Sequence, residues 1–173
     1  QFCIDGSPLV LIAGTYGTDG AEYRTKLDSF AKIVSHGSGP ATFTVLTKDG
    51  NRLEYGGGDA SVYFDKSTDF ARAWSLRRIV NRSGMEIGYH YQTPELEHVI
   101  RGRKFVASVE QYLVGVSYGD REPLDSSGGL LSFRIQPFYL TLKYESSSDI
   151  ESGFYQGTPT RRTRRLKSIA SSY

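Results

Sequence analysis

Trp74-Ser75-Leu76-Arg77-Arg78-Ile79-Val80-Asn81-Arg82-Ser83-Gly84-Met85-Glu86-Ile87-Gly88-Tyr89-His90-Tyr91 is the stretch that sets the fold class. Trp74, Leu76 and Ile79 precede a polar cluster, Asn81 to Gly84. Ile87, Tyr89 and Tyr91 then return on alternating positions. Large side chains at every second residue put one side of an extended chain against a core, and an Asn/Ser/Gly cluster between two such runs turns the chain back. Ala71 to Tyr91 therefore reads as a half-buried β-hairpin.

The same grammar recurs towards the N-terminus. Leu9 to Ala13 is a short apolar run closed by Gly14, and Gly14 to Gly20 is turn-like. Glu22 to Lys26 and Ser29 to Val34 alternate as strands do. Ala41 to Thr47 is a strand with Phe43 and Val45 on one face. Asp49-Gly50 follows as a hairpin signal, because glycine tolerates positive φ. Leu53 and Tyr55 lie on the return strand, ended by Gly56-Gly57-Gly58, and Ser61 to Phe64 is a further strand.

Towards the C-terminus the pattern is mixed. In Pro94 to Gln111, Leu96, Val99 and Ile100 have helical spacing, whereas Phe105, Ala107 and Val109 alternate. Residues 92–110 are therefore expected to be irregular, with a helical turn ahead of a strand. Tyr112 to Tyr118 is a strand stopped by Gly119-Asp120. Leu130 to Glu145 is a long strand whose Pro137 implies an edge, a bulge or a break. Residues 146–160 read as irregular, and Arg164 to Ala170 as a strand anchored by Leu166 and Ile169. The fold class is all-β, mainly antiparallel, with about ten short strands in hairpins and meanders and little helix, because short connections cannot make parallel crossovers. Residues 1–173 form one β-rich segment without an internal boundary. Such strands close on themselves or form an open curved sheet, whose edges must be paired by other parts of a larger protein.

Composition agrees with a packed β protein. The 173 residues suffice for a core, and 12 Tyr and 9 Phe supply large buried areas at few positions. The formal charge of +2 indicates neither nucleic-acid nor membrane binding. Its distribution is uneven: Arg161, Arg162, Arg164, Arg165 and Lys167 face only Glu151 within residues 151–173. The single cysteine, Cys3, excludes an internal disulfide, and its neighbours Phe2 and Ile4 suggest a buried thiol on a strand. No apolar run is long enough to cross a membrane as a helix. The opening residues carry no initiator Met and no leader-like pattern, so the chain is expected to be a piece of a longer polypeptide.

Little points to catalysis. His36, His90 and His98 lack the spacing of zinc ligands. Gly14 to Gly20 and Gly56 to Gly58 lack the Gly-Lys-Ser/Thr ending and the following helix of a phosphate loop, and read as turn glycines. Glu95/Glu97 and Asp120/Glu122 read as solvated loop charge. The basic tract Arg161 to Lys167 has no interleaved aromatics, which makes a poor nucleic-acid surface and a good charge-protected edge strand. No catalytic residue, cofactor or metal is expected, and the chain is read as non-enzymatic. Exposed tyrosines able to stack on sugar rings leave a carbohydrate- or receptor-binding β-sandwich module as the alternative.

Several blocks, in order, carry a family resemblance. They are Ile4-Asp5-Gly6 with Leu9 and Leu11; Gly14-Thr15-Tyr16-Gly17; Glu22-Tyr23-Arg24; Phe43, Val45, Lys48-Asp49-Gly50 and Tyr55-Gly56; and the Trp74, Leu76, Ile79, Gly84, Ile87, Tyr89, Tyr91 hairpin. Tyr112-Leu113, Val116 and Tyr118-Gly119 follow, then Leu142 with Tyr144-Glu145, Tyr155 with Gly157, and Arg165-Leu166 with Ile169. The chain resembles the SpvB/TcdB-type region of bacterial insecticidal toxin-complex B components, which are related to Rhs shell proteins. It departs from that pattern at the hairpin turn Asn81 to Met85 and in Ser146-Ser147-Ser148-Asp149. The resemblance implies a structural segment in the wall of a hollow β-shell that encloses a cytotoxic passenger. Its implied partners are other parts of the same longer chain, a toxin-complex C-like component and a pore-forming A-like component, with no nucleic acid and no membrane insertion by this segment. A secreted or bacterial cell-associated location is implied in the same way.

Overall fold

The computed structural model describes residues 1–27, 29–37, 39–66, 70–100, 102–108, 110–120, 138–155 and 158–172. Val109, Pro137 and Gly157, each singled out by the sequence, lie outside the described residues. The N-terminal half is a meander of six strands: β1 (Cys3–Ile4), β2 (Ser7–Ala13), β3 (Glu22–Thr25), β4 (Lys32–His36), β5 (Thr42–Leu46) and β6 (Arg52–Gly56). A short 3-10 turn (Gly58–Ala60) leads to β7 (Ser61–Asp65) and β8 (Phe70–Trp74), which among the described residues pair only with each other. The chain re-enters the sheet as β9 (Leu76–Val80) and β10 (Met85–Gln92). It leaves again as the two-stranded ribbon β11 (Glu95–Ile100) and β12 (Arg103–Ser108), then returns as β13 (Tyr112–Asp120), β14 (Phe138–Tyr155) and β15 (Thr158–Ser172).

The result is one antiparallel sheet of eleven strands, ordered β1-β2-β3-β4-β5-β6-β9-β10-β13-β14-β15, with two hairpin ribbons set beside it. The all-β antiparallel expectation holds, as an open eleven-stranded sheet and two ribbons, fifteen described strands in all rather than about ten. Three local expectations are corrected. Residues 95–108 form a hairpin, not a helical turn, because the chain reverses at Gly102 (φ +80) and the Phe105/Ala107 alternation governs the whole segment. Much of 146–160 belongs to the β14–β15 hairpin, where a bulge absorbs the Ser-rich stretch. Trp74 and Leu76 do not share one strand: the chain breaks at Ser75, so Trp74 sits on the β7–β8 ribbon and Leu76 in the main sheet.

The hairpin itself forms at β9–β10, with Ile79 opposite Ile87. Its turn is closed by Asn81, whose Oδ1 accepts the Ser83 and Met85 amides at 2.9 Å each, with Gly84 at φ +86. An Asx-type turn of this kind closes the hairpin although Asn81 to Met85 departs from the family's turn sequence. Arg82 from this turn lies over Gly50 of the β5–β6 turn, where any Cβ would fall 1.9 Å from Arg82 Nε. The two turns therefore dock against each other at one end of the sheet.

Candidate functional site

The sheet's two faces differ in chemistry, and cross-strand register shows it, since registered partners point to the same face. One row runs Tyr23–Ile33–Val45–Leu53–Ile79–Ile87–Tyr118–Phe138 through eight adjacent strands. The opposite face carries Glu22, Thr44, Glu54, Arg78 and Ser117. Arg78 holds Glu54 through two bonds of 2.8 and 3.0 Å and reaches Glu86 at 3.4 Å. That grip, with desolvation opposing it, keeps the Glu54 carboxyl below its ordinary value and raises the Arg78 guanidinium. Lys32 and Arg24 hold Glu22 at 2.6 and 2.9 Å, with Lys32 the larger cause of that carboxyl's lowered pKa.

Burial along the apolar row is graded. Tyr23, Ile33 and Val45 are buried, Leu53 and Ile79 half-buried, and Ile87, Tyr118 and Phe138 exposed. The buried end is covered by the N-terminal strand and by the β7–β8 ribbon. Phe2 stands edge-on to Tyr23, Phe43 and Trp74, with ring centroids 5.9, 5.3 and 5.6 Å away, and stacks on Tyr16 at 4.7 Å. Trp74 also meets Phe43 edge-on at 5.0 Å, and its indole N–H donates to the Pro40 carbonyl at 3.0 Å. Edge-to-face packing of this sort adds about 0.5–1.5 kcal/mol per pair beyond area burial. The rings border a cleft of about 860 Å³ that also touches Asp5, Tyr55 and Arg72. Burial, then the nearby Asp5 charge, raises the Tyr55 phenol, and burial likewise raises Tyr91, whose hydroxyl donates to the Leu76 carbonyl at 2.7 Å.

The structure locates the signature residues as follows. Phe43 is in the core, while Tyr55, Trp74, Leu76, Ile79, Tyr89, Tyr91, Leu142 and Tyr144 are half-buried. Asp49-Gly50 and Gly84 sit in the two docked turns. Gly56 (φ +80) is a close-approach glycine, since a Cβ there would stand 2.4 Å from Trp74 Cδ1 and 2.9 Å from the Ala41 carbonyl. Gly119 pairs with Glu86 beside the Ile87–Tyr118 pair. Arg165 binds Glu145 at 2.8 Å. Three residues expected to anchor the sheet are corrected: Ile87, Leu166 and Ile169 are 36, 47 and 60% exposed, because nothing among the described residues covers that end of the row. Cys3, expected to be buried, is exposed on the short edge strand β1. The core cluster takes in Leu9, Tyr23, Ala31 and Ile33 from strands the sequence expected, together with Ala21, which lay in none of them, and Phe2 packs against this cluster.

The polar candidates are placed individually. His36 bonds the Thr44 hydroxyl at 2.8 Å and His90 the Ser117 hydroxyl at 3.0 Å. The His98 side chain, Asp120's and Glu122 lie outside the described residues. Glu95 and Glu97 are on β11, paired with Lys66 and Lys104. Among the described residues, no three His, Cys, Asp or Glu side chains converge as a metal site. The basic tract lies on β15, where Glu145 holds Arg165 and Lys167, and Glu151 holds Arg162.

No protein-family model matches the chain, and no curated protein matches it. Among solved structures it is similar, at 18% identity and TM-score 0.69, to a crystal structure of TcdB2-TccC3-Cdc42, covering 96% of this chain and 10% of that one. The N-terminal domain of effector protein SpvB from Salmonella typhimurium strain LT2 is similar at 18% identity and TM-score 0.67, covering 96% of this chain and 67% of that domain structure. TcdB2-TccC3-TEV gives TM-score 0.67 over the same share of this chain. The chain thus spans about a tenth of the TcdB2-TccC3 chains it matches. The fold is that of the SpvB/TcdB-type region.

Proposed function

We propose that the chain is a non-catalytic wall segment of a toxin-complex or Rhs-like shell, one that encloses a cytotoxic passenger and helps deliver it. The observation that carries this reading is the open eleven-stranded sheet, similar along 96% of the chain to part of TcdB2-TccC3. An open sheet with one apolar face, buried at one end and bare at the other, suits a component completed by more protein. In this reading other parts of a longer chain cover the bare end, a C-like component closes the shell, and an A-like component receives the passenger. The protein is then secreted or cell-associated before release. A glycan-binding module is less well supported, because the cleft's rings stack on one another rather than offering free faces.

The test uses the full polypeptide carrying this segment, produced with its C-like component and challenged with protease. The reading expects a protected passenger in the native protein and a cleaved one when Phe43 and Trp74 are both replaced by alanine. Equal protection with the segment's core demonstrably unfolded overturns it. A passenger exposed in the native complex overturns it too.

A further inference from the structure

β15 is the last strand in the sheet order, paired only to β14, and fifteen residues long. Its outer N–H and C=O groups face no other described strand. The backbone amide of Thr163 is directed inwards, donating to Glu110 at 2.9 Å. Since amides alternate sides along a strand, those of Arg162 and Arg164 point to the open edge.

The strand's side chains extend this asymmetry. Leu142 pairs with Ile169 and Tyr144 with Leu166, so the apolar face continues to the rim and stays exposed there. The strand carries five basic residues and no acidic one. Glu145 and Glu151 answer Arg165, Lys167 and Arg162. Among the described residues no carboxylate lies in ion-pair reach of Arg161 or Arg164, and Arg164 rests on the Tyr112 ring at 5.3 Å.

A purely protective edge needs a charge or a bulge, and Lys167 supplies both. It does not need four arginines within five residues beside exposed Leu166 and Ile169. A second copy is a poor occupant. Its β15 would set cations against cations, and its opposite edge, β1, has only two residues.

We infer that the outer edge of β15 accepts an extended acidic strand of a partner protein, by backbone pairing along Thr158–Leu166 and charge pairing to Arg161 and Arg164. The inference rests on the wall reading only in that walls grow by strand addition. Arg161 and Arg164, three apart on a regular stretch of strand, lie on opposite faces. The probe is therefore a capped peptide of about nine residues built of alternating Glu-Glu and Val-Val pairs, which carries glutamates on both faces. Two controls accompany it, a valine–lysine analogue and a version N-methylated at alternate residues. With the 173-residue chain, the expected results are saturable binding and slowed hydrogen exchange at the Arg162 and Arg164 amides. Both should be lost with either control peptide, and R161E/R164E should bind roughly tenfold more weakly. Absence of amide protection overturns the inference, as does equal binding of the lysine peptide, which needs no altered protein. Either failure leaves the wall reading intact, because that one is judged by passenger protection.

Discussion

The Glu110 carboxylate accepts both the backbone amide and the hydroxyl of Thr163, each at 2.9 Å. The reason lies in the register of the neighbouring hairpin. Ser146 pairs with Arg164 and Glu151 with Arg162, so four residues of β14 bulge out opposite Thr163 and leave it without a ladder partner. Glu110, from the segment before β13, supplies the missing acceptor. An unsatisfied amide in a half-buried site costs about 1–3 kcal/mol. Replacing Glu110 by alanine should therefore destabilise the β14–β15 hairpin by about 1–2 kcal/mol. Hydrogen exchange is the measurement: protection should fall around Thr163 while β3 to β6 keep theirs. Uniform loss across the sheet would contradict a local pin.

Trp74 joins a hairpin ribbon to the sheet's core, so its replacement probes that junction. Half-buried, it should cost about 3 kcal/mol on truncation to alanine, the lower end of the range for buried aromatics. The phenylalanine variant keeps the edge-on contacts to Phe2 and Phe43 but loses the bond to Pro40, a loss of about 1 kcal/mol. Urea midpoints of both variants check the order. A phenylalanine variant as damaged as the alanine one would show that the indole N–H, not the ring packing, holds the ribbon.

The hairpin Trp74 to Tyr91 was legible in outline because alternation and turn chemistry are local. Two spacings look wrong for a strand: Leu76 and Ile79, and Leu166 and Ile169, are each three apart. In both cases a basic residue, Arg77 or Lys167, is bulged out of register, so both apolar neighbours keep the same face. Such bulges depend on the partner strand and are invisible in the chain alone. The core was harder to place, because Phe2 and Tyr16 cover Tyr23 only after the N-terminal segment folds back. The helical spacing of Leu96, Val99 and Ile100 misled for a similar reason: pairing with β12, a tertiary fact, decides that segment. Glu110 belongs to no motif, and no sequence signal marks it.

The Glu54–Arg78 pair predicts an acid dependence of definite sign. Bonding to Arg78 lowers the folded Glu54 carboxyl below its reference value of 4.5. Its contribution is therefore complete above that value and is lost as pH falls through the lower folded pKa. Glu54→Gln should cost about 1–2 kcal/mol at neutral pH, since a hydrogen-bonded charge pair loses its ionic member. Chemical denaturation at neutral pH and near pH ~3 separates the cases: the gap between the variant and the parent should narrow on acidification. A gap that widens in acid would reverse the sign and remove the ion pair as its cause.

Gly56 and Gly84 offer a paired experiment, because both have φ above +80 or at it but differ in surroundings. A Cβ on Gly84 meets nothing within 4 Å, so Gly84→Ala carries only the conformational cost of a left-handed residue, about 1–2 kcal/mol. A Cβ on Gly56 would overlap Trp74 Cδ1 at 2.4 Å and the Ala41 carbonyl at 2.9 Å. The ring can move only by giving up its contacts with Phe43 and Phe2, and the carbonyl belongs to backbone. Overpacking of this kind adds about 1–3 kcal/mol to the same conformational term. Gly56→Ala should thus be clearly the more destabilising of the two by urea denaturation. Combining it with Trp74→Ala should recover part of the loss, since the clashing ring is then gone. Strict additivity in that double variant would mean that Gly56 matters for its backbone angle and its approach to the Ala41 carbonyl, and that the tryptophan does not require its missing side chain.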